Sequence, residues 1–146
     1  MSGKLIAGTV AALAVLFGAA QFVQPQRANP VVDPSATFAA VAKPVPAVAG
    51  LVDRSCRDCH SDQTVWPWYS HVSPVSWMVA GDVKRGREKL NFSHWNIYGP
   101  EMSQIRLRDA CEQVKAGHMP LSHYLLMHSD ARPTDEDKQA LCAAAQ

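Results

Sequence analysis

Cys56, Cys59 and His60 belong to the pentapeptide Cys-Arg-Asp-Cys-His, the C-x-x-C-H arrangement that attaches a c-type haem. Each thiol in this spacing can add to one vinyl group of a single porphyrin, and the adjacent histidine can bind the iron as its proximal ligand. With 4 Cys and 6 His in 146 residues, a random C-x-x-C-H has a probability of roughly 0.004. The sequence therefore predicts one covalent haem c, held by these three side chains.

Three other interpretations of the two cysteines compete with haem attachment. A thioredoxin-like redox pair needs a βαβ context, and no strand-rich pattern precedes Cys56. A zinc site needs a second C-x-x-C or an H-x3-5-H partner at ribbon or finger spacing, and none follows. A disulfide across a two-residue gap inside a helix has awkward geometry. Haem attachment is favoured over all three.

The N-terminal segment predicts export from the cytoplasm. An almost unbroken apolar run extends from Leu5 to Phe22, with Lys4 before it and no Asp or Glu within it. Its length suits a bilayer-spanning helix, whereas Gly18-Ala19-Ala20 offers small residues for a signal peptidase. We favour an uncleaved signal anchor over residues 1–23, with the rest on the periplasmic side of the inner membrane. A cleaved signal peptide and a periplasmic protein are the alternative.

Composition divides the remainder of the chain. Half of the 10 prolines lie in residues 24–46, with Ala and Val between them, which predicts a semi-rigid linker. Residues 47–146 are predicted to form the haem-binding c-type cytochrome domain. The formal net charge of +1 provides no strong field that would attract a nucleic acid.

Apolar residues at helical spacing, together with caps and prolines, predict five helices in this domain. They are Val48 to Cys56, Pro74 to about Glu88, Glu101 to Ala116 with Gly117 as the stop, Leu121 to Met127, and a last helix from an N-cap at Thr134 to about Ala145. No segment alternates with period 2. We therefore expect an all-α fold, a small cytochrome c-like helical domain wrapped around one haem, which adds apolar area to a small core.

Met119 is the first choice for the sixth iron ligand. It lies between Gly117, which ends a helix, and Pro120, which stiffens the turn, so its thioether can be held against the iron opposite His60. Core filling is the alternative role for this methionine. Five other histidines are candidates as well: His71, His94, His118, His123 and His128. An open sixth position is the remaining possibility.

Four large aromatic residues follow the pentapeptide and are predicted to form a wall of the haem pocket: Trp66, Trp68, Tyr69 and Trp77. Ordinary hydrophobic core is the alternative. Arg85 and Arg87 could neutralise haem propionates, although a solvated helix face is favoured for each. Cys111 and Cys142 remain outside the haem motif, and in an oxidising compartment they are predicted to form a disulfide, two buried thiols being the alternative.

The order of motifs resembles that of the bacterial haem-binding domain family. The matching motifs are Cys56-x-x-Cys59-His60-Ser61, Thr64-x-Trp66-Pro67-Trp68-Tyr69-Ser70, Pro74-x-Ser76-Trp77, Asp82-Val83-x-x-Gly86-Arg87, Leu90-Asn91-Phe92-Ser93-x-Trp95, Gly117-x-Met119-Pro120, Tyr124 and His128-x-x-Ala131. The resemblance covers about residues 46–145. It implies a small exported monohaem c-type protein with His60 as the proximal and Met119 as the distal ligand.

These features predict a carrier of single electrons rather than an enzyme. Its partners would be redox proteins of the cell envelope and, through the N-terminal helix, the membrane; no nucleic acid partner is expected. An enzyme or gas or redox sensor with a labile sixth ligand is one alternative, and an accessory haem subunit of a membrane complex is another.

Overall fold

The computed structural model describes residues 2–146, and within this range it contains helices and loops but no strand. The α-helices are α1 (Ser2–Ala20), α2 (Phe38–Val41), α3 (Pro46–Ser55), α4 (Arg57–His60), α5 (Val75–Lys89), α6 (Pro100–Lys115), α7 (Ser122–Met127) and α8 (Asp135–Ala143). Short 3-10 helices cover Pro34–Ala36, Trp68–His71, Phe92–Ile97 and Ser129–Ala131. The all-α prediction is confirmed.

The helix ends follow local signals in the sequence. Gly117 has a φ of +73° directly after α6, a left-handed conformation that glycine adopts without a Cβ clash. Thr134 and Asp137 form a capping box at the start of α8, each side chain accepting a backbone N–H of the other residue. The predicted stop and the predicted N-cap are therefore both present.

The hydrophobic core lies between α3, α6, α8 and the 3-10 helix Phe92–Ile97. Its buried members are Phe38, Val48, Leu51, Val52, Phe92, Trp95, Leu107, Cys111, Val114, Leu141 and Ala145. Phe92 and Trp95 stack with their ring centroids 5.6 Å apart, and Phe38 meets Trp95 edge-on at 4.6 Å. Such aromatic pairs add to the stabilisation that burial provides.

Phe38 corrects the predicted linker. The segment 24–46 was expected to be a spacer, yet Ala36 and Phe38 are both buried. Asp33 accepts the N–H of Ser35 and Thr37 accepts the N–H of Ala40, so two short capped turns direct Phe38 into the core. The packed part of the chain therefore begins well before residue 46.

The first helix is apolar, and none of it is buried. Gly3–Ala20 is an 18-residue stretch with a mean hydropathy of 1.8, and none of it is buried against the rest of the protein. By length and composition it can cross a membrane, and an N-terminal signal sequence has the same properties.

Cys111 and Cys142 form the predicted disulfide. Their Cα atoms are 5.0 Å apart, and the bridge joins α6 to α8 across 31 residues of sequence. The two cysteines of the C-x-x-C-H motif are free thiols.

We expect replacement of both Cys111 and Cys142 by Ala to lower the free energy of unfolding by about 3–4 kcal/mol, because the bridge restricts the unfolded chain. Urea unfolding of the two proteins, followed by circular dichroism, measures the difference. A loss below about 1 kcal/mol would show that the cross-link contributes little.

Gly86 sets the distance between α4 and α5. A Cβ placed on Gly86 would lie 2.9 Å from the carbonyl carbon of Cys59 and 3.2 Å from its Cβ, so the backbone of the haem motif packs directly on this glycine. Gly81, one and a half turns earlier, would meet only the flexible end of Arg85, at 3.2 Å. The α4–α5 contact thus requires glycine at position 86.

Gly86→Ala should therefore destabilise the protein by about 1–3 kcal/mol and lower the yield of haem-loaded protein, because α5 must move away from Cys59. Gly81→Ala is the matched control on the same helix. It should leave stability unchanged or raise it by up to about 1 kcal/mol through helix propensity. Equal effects of the two substitutions, measured by urea unfolding, would contradict the close approach.

Candidate functional site

Cys56 and Cys59 occupy one helical turn at the junction of α3 and α4. Cys56 ends α3 and caps α4, and its carbonyl accepts the backbone N–H groups of Cys59 at 3.2 Å and His60 at 2.9 Å. Residues three apart in such a turn lie on the same side of the helix. The local fold thus brings the two thiols and the imidazole into one short segment.

The surroundings of the two thiols keep them protonated. Burial raises the pKa of Cys56 to about 12 and that of Cys59 to about 11, and the carboxylates of Asp82 and Asp58 add to the shift of Cys59. The reactive thiol of a thioredoxin-like pair has the opposite shift, to lower pKa. This environment argues against a catalytic dithiol.

His60 is oriented by the backbone at the end of α5. Its Nδ1 lies 3.0 Å from the carbonyl oxygen of Leu90. Because a carbonyl can only accept, Nδ1 carries the proton and Nε2 keeps its lone pair. Burial lowers the pKa of His60, which favours the neutral ring. A neutral imidazole with a free Nε2 and a carbonyl-bound Nδ1–H is the usual form of a metal-binding histidine.

A buried polar cluster joins the segment after His60 to the segment after Leu90. Asn91 Nδ2 donates to Asp62 Oδ1 at 3.1 Å, and the backbone N–H of Asp62 donates to Ser93 Oγ at 3.0 Å. His94 Nε2 lies 2.7 Å from the other oxygen of Asp62. These bonds hold Leu90 in register with His60, so the imidazole is positioned by the fold rather than by a flexible loop.

Arg87 connects the haem motif to the N-terminal part of the chain. Its Nε donates to the carbonyl of Ser61 at 2.8 Å, and its Nη2 donates to Thr64 Oγ1 at 2.9 Å. The same guanidinium donates to the carbonyl of Ala28 at 2.9 Å and to Asn29 Oδ1 at 3.0 Å. Arg87 was predicted to lie on a solvated helix face. Its hydrogen bonds instead give it a structural role between two segments of the chain.

We expect Arg87→Lys to cost about 1–3 kcal/mol of stability, since an ammonium group cannot reproduce several planar hydrogen bonds to carbonyls on different segments. Arg85→Lys is the control, because Arg85 is exposed and pairs only with Asp82 among the residues that the structure describes. That change should stay within about 0.5 kcal/mol. Thermal unfolding of the two variants measures both, and a harmless Arg87→Lys would contradict the role assigned to the guanidinium.

An apolar cavity of about 250 Å³ lies beside Cys59. Its apolar walls are formed by Val65, Pro67, Trp68, Tyr69, Val75, Met78, Val79, Val83, Leu121 and Met127. Trp68 and Tyr69 line this cavity, and their role as a wall of a haem pocket stays a prediction. The indole N–H of Trp66 instead donates to Asn29 Oδ1, at 3.3 Å, and that of Trp77 donates to the carbonyl of Val23, at 2.9 Å.

Polar side chains at one end of this cavity form a connected group. The Tyr124 hydroxyl donates to Asp58 Oδ2 at 3.0 Å, and the Tyr124 ring stacks on His128 with centroids 4.2 Å apart. The Tyr69 hydroxyl lies 2.8 Å from His128 Nε2. Burial raises the pKa of Tyr124, and the Asp58 carboxylate raises it further. Sequence reasoning missed Asp58 because it occupies a variable position of the motif. Tyr124 lies on α7, and His128, four residues later, is the C-cap of that helix.

Met119 lies at the edge of the hydrophobic core. It is half-buried and packs against the same core cluster as Cys56 and Leu90. The backbone N–H groups of His118 and Met119 both donate to the carbonyl of Gln113, at 3.0 and 3.2 Å, which holds the loop after Gly117. The loop is thus fixed as expected, and iron ligation by Met119 stays a prediction.

A family model described as a haem-binding domain matches residues 15–146. The match includes the pentapeptide, α5 and the loop that carries Met119. The chain belongs to the haem-binding domain family. Comparisons with curated proteins and with solved structures gave no match. Membership of this family supports haem as the cofactor of the domain.

The residues at 56–60 fit that cofactor. Two free thiols in C-x-x-C-H spacing lie next to an imidazole whose Nε2 is available. The cavity beside Cys59 is lined mainly by apolar groups, as a porphyrin requires. The chain thus combines two candidate attachment thiols and a candidate axial histidine with an apolar cavity beside Cys59.

Proposed function

We propose that this protein is an exported monohaem c-type cytochrome that carries single electrons. Cys56 and Cys59 would hold the macrocycle by thioether bonds, and His60 would be the proximal iron ligand. The observation that carries the proposal is the Leu90 carbonyl on His60 Nδ1, since it leaves Nε2 free in a neutral ring beside two free thiols.

The bound haem would supply the electron chemistry, because its iron accepts and releases one electron. The chain's own residues determine how that iron is held. The Leu90 carbonyl fixes the ring of His60 and increases its basicity. Gly86 lets α5 pack directly against the backbone of Cys59. Trp68, Tyr69 and Val83 line the cavity with apolar surface. Rigidly held ligands suit fast electron exchange without chemical change.

Met119 is the sixth ligand that we propose. Its loop is fixed by Gly117 and by paired hydrogen bonds to Gln113, and its side chain packs against the same core cluster as Cys56 and Leu90. A thioether opposite a histidine raises the reduction potential and fits an electron carrier.

The oxidised haem-loaded protein should show the sulfur-to-iron charge-transfer band at the red end of the visible spectrum, and Met119→Leu should abolish it. Met78→Leu and Met127→Leu are controls, since both methionines line the cavity beside Cys59. They should leave the band in place. Persistence of the band in Met119→Leu, or its loss in either control, would contradict the assignment.

A haem enzyme or gas sensor with a labile sixth ligand is the second candidate. The observation in its favour is that His123, His128, Met78 and Met127 line the cavity, whereas Met119 packs against the core. Carbon monoxide separates the two candidates: slow or absent binding to the ferrous protein at neutral pH supports an electron carrier, and rapid binding supports an open site.

For location, we propose that α1 anchors the domain on the periplasmic side of the inner membrane. The apolar length of Gly3–Ala20 and the absence of buried residues within it support an anchor. Its partners would then be redox proteins of the cell envelope. N-terminal sequencing of protein taken from its native membrane distinguishes this anchor from a cleaved signal.

A further inference from the structure

The cavity beside Cys59 suits a haem in chemistry but is small for one. Its volume is about 250 Å³. Pockets that enclose drug-sized ligands measure about 300–1,000 Å³, and a haem is larger than most such ligands. A haem can therefore occupy this cavity only if one of its walls moves outward. Burial and hydrogen bonding identify which wall can move.

Two walls of the cavity are anchored by buried residues. On α5, Val83 is 3% exposed, and Gly86 packs directly on the backbone of Cys59. On the 3-10 helix Trp68–His71, Ser70 is fully buried. Movement of either wall would expose these buried groups and break close packing. These two walls are therefore fixed.

The wall that contains α7 lacks such anchors. Residues 121–130, which we call the lid, include no buried residue. Leu126 is 82% exposed and Met127 is 56% exposed. The chain is anchored on both sides of the lid, since Pro120 and Ala131 are buried. The lid is thus a segment held at its two ends, as a hinged element requires.

Three side-chain hydrogen bonds, which we call the latch, join the lid to the other walls. They are His123 Nε2 to Asp82 Oδ2 at 2.7 Å, the Tyr124 hydroxyl to Asp58 Oδ2 at 3.0 Å, and the Tyr69 hydroxyl to His128 Nε2 at 2.8 Å. The partners on the other walls lie on α5, α4 and the 3-10 helix Trp68–His71. Within residues 2–146, no backbone hydrogen bond joins the lid to these three elements.

The latch is weak compared with a packed wall. Each hydrogen bond contributes modestly to stability because water competes for the same groups, and the His123 side chain is 40% exposed. Segments with few buried apolar contacts open at a lower free energy than the rest of a protein. The buried core cluster contains no lid residue, so the lid can open while the core stays intact.

We propose that the lid is the movable wall of the cavity beside Cys59. It opens to admit the haem and closes against it through the latch. In the loaded protein it controls the access of small ligands, such as diatomic gases, to the iron. This inference rests on the proposed function, because that function places the haem in this cavity.

The test compares full-length, haem-loaded proteins. His123→Ala/Tyr124→Phe removes two bonds of the latch and keeps an aromatic ring beside His128. Leu126→Ala is the matched control, since this exposed residue of α7 takes no part in the latch. Hydrogen–deuterium exchange with mass spectrometry reports the opening of residues 121–130. The rate of carbon monoxide binding to the ferrous protein reports access to the iron, and intact mass verifies the haem.

In His123→Ala/Tyr124→Phe, the amides of the lid should exchange about tenfold faster than in the wild type, because that factor matches the net contribution of one or two hydrogen bonds. Carbon monoxide should bind about fivefold faster, since an open lid exposes the iron. Tyr124→Phe alone, which removes a single hydroxyl, should show both changes at about threefold. Leu126→Ala should stay within about twofold of the wild type in both measurements.

Unchanged exchange of the lid in both latch variants would overturn the proposal. Equal acceleration in α5, α6 and α8 would also overturn it, because the substitutions would then destabilise the whole domain. Faster exchange of the lid without faster carbon monoxide binding would overturn its control of access to the iron. A wild-type chain without haem would instead overturn the proposed function, and exchange in that chain and its latch variants would still decide whether the latch holds the lid.

Discussion

The hydrogen bond between His60 Nδ1 and the Leu90 carbonyl is the interaction on which the site depends. It selects the tautomer, orients the ring and leaves Nε2 free for a metal. The bond exists because Leu90, the residue that caps α5, lies close to the turn that carries the two thiols. That closeness in turn requires a residue without a side chain at position 86, where the backbone of Cys59 packs on the helix.

Around this contact, apolar packing and polar hydrogen bonding lie in different parts of the protein. The core of α3, α6 and α8 carries the packing, and a disulfide joins the last two. The cavity beside Cys59 is lined mainly by apolar side chains, and its polar members include the Asp58–Tyr124–His128–Tyr69 group and the pair His123 and Asp82. Arg87 then joins the segment after His60 to Ala28 and Asn29. Through this guanidinium, the N-terminal segment supports the C-x-x-C-H motif.

Much of this could be predicted because the signals are local. Gly117, Thr134 and Pro100 define helix ends through φ preference and capping, so the predicted helices agree with the structure to within a few residues. The candidate attachment residues could be named from the sequence because haem attachment requires a fixed spacing. The packing of Phe38 and the contacts of residues 21–29 were missed because Pro, Ala and Gln have the composition of a linker, and their partners are distant in sequence. The role of the Leu90 carbonyl could not be predicted from the sequence, because a residue of any type can supply a backbone acceptor.

Intact-mass spectrometry under denaturing conditions tests the central claim most directly. For protein produced together with a haem-attachment system, we predict the mass of the chain plus one haem. Cys111→Ala/Cys142→Ala should retain that increment, and Cys56→Ala/Cys59→Ala should lose it. A wild-type chain that binds haem in solution but has the mass of the polypeptide alone after denaturation would contradict covalent attachment through the pentapeptide.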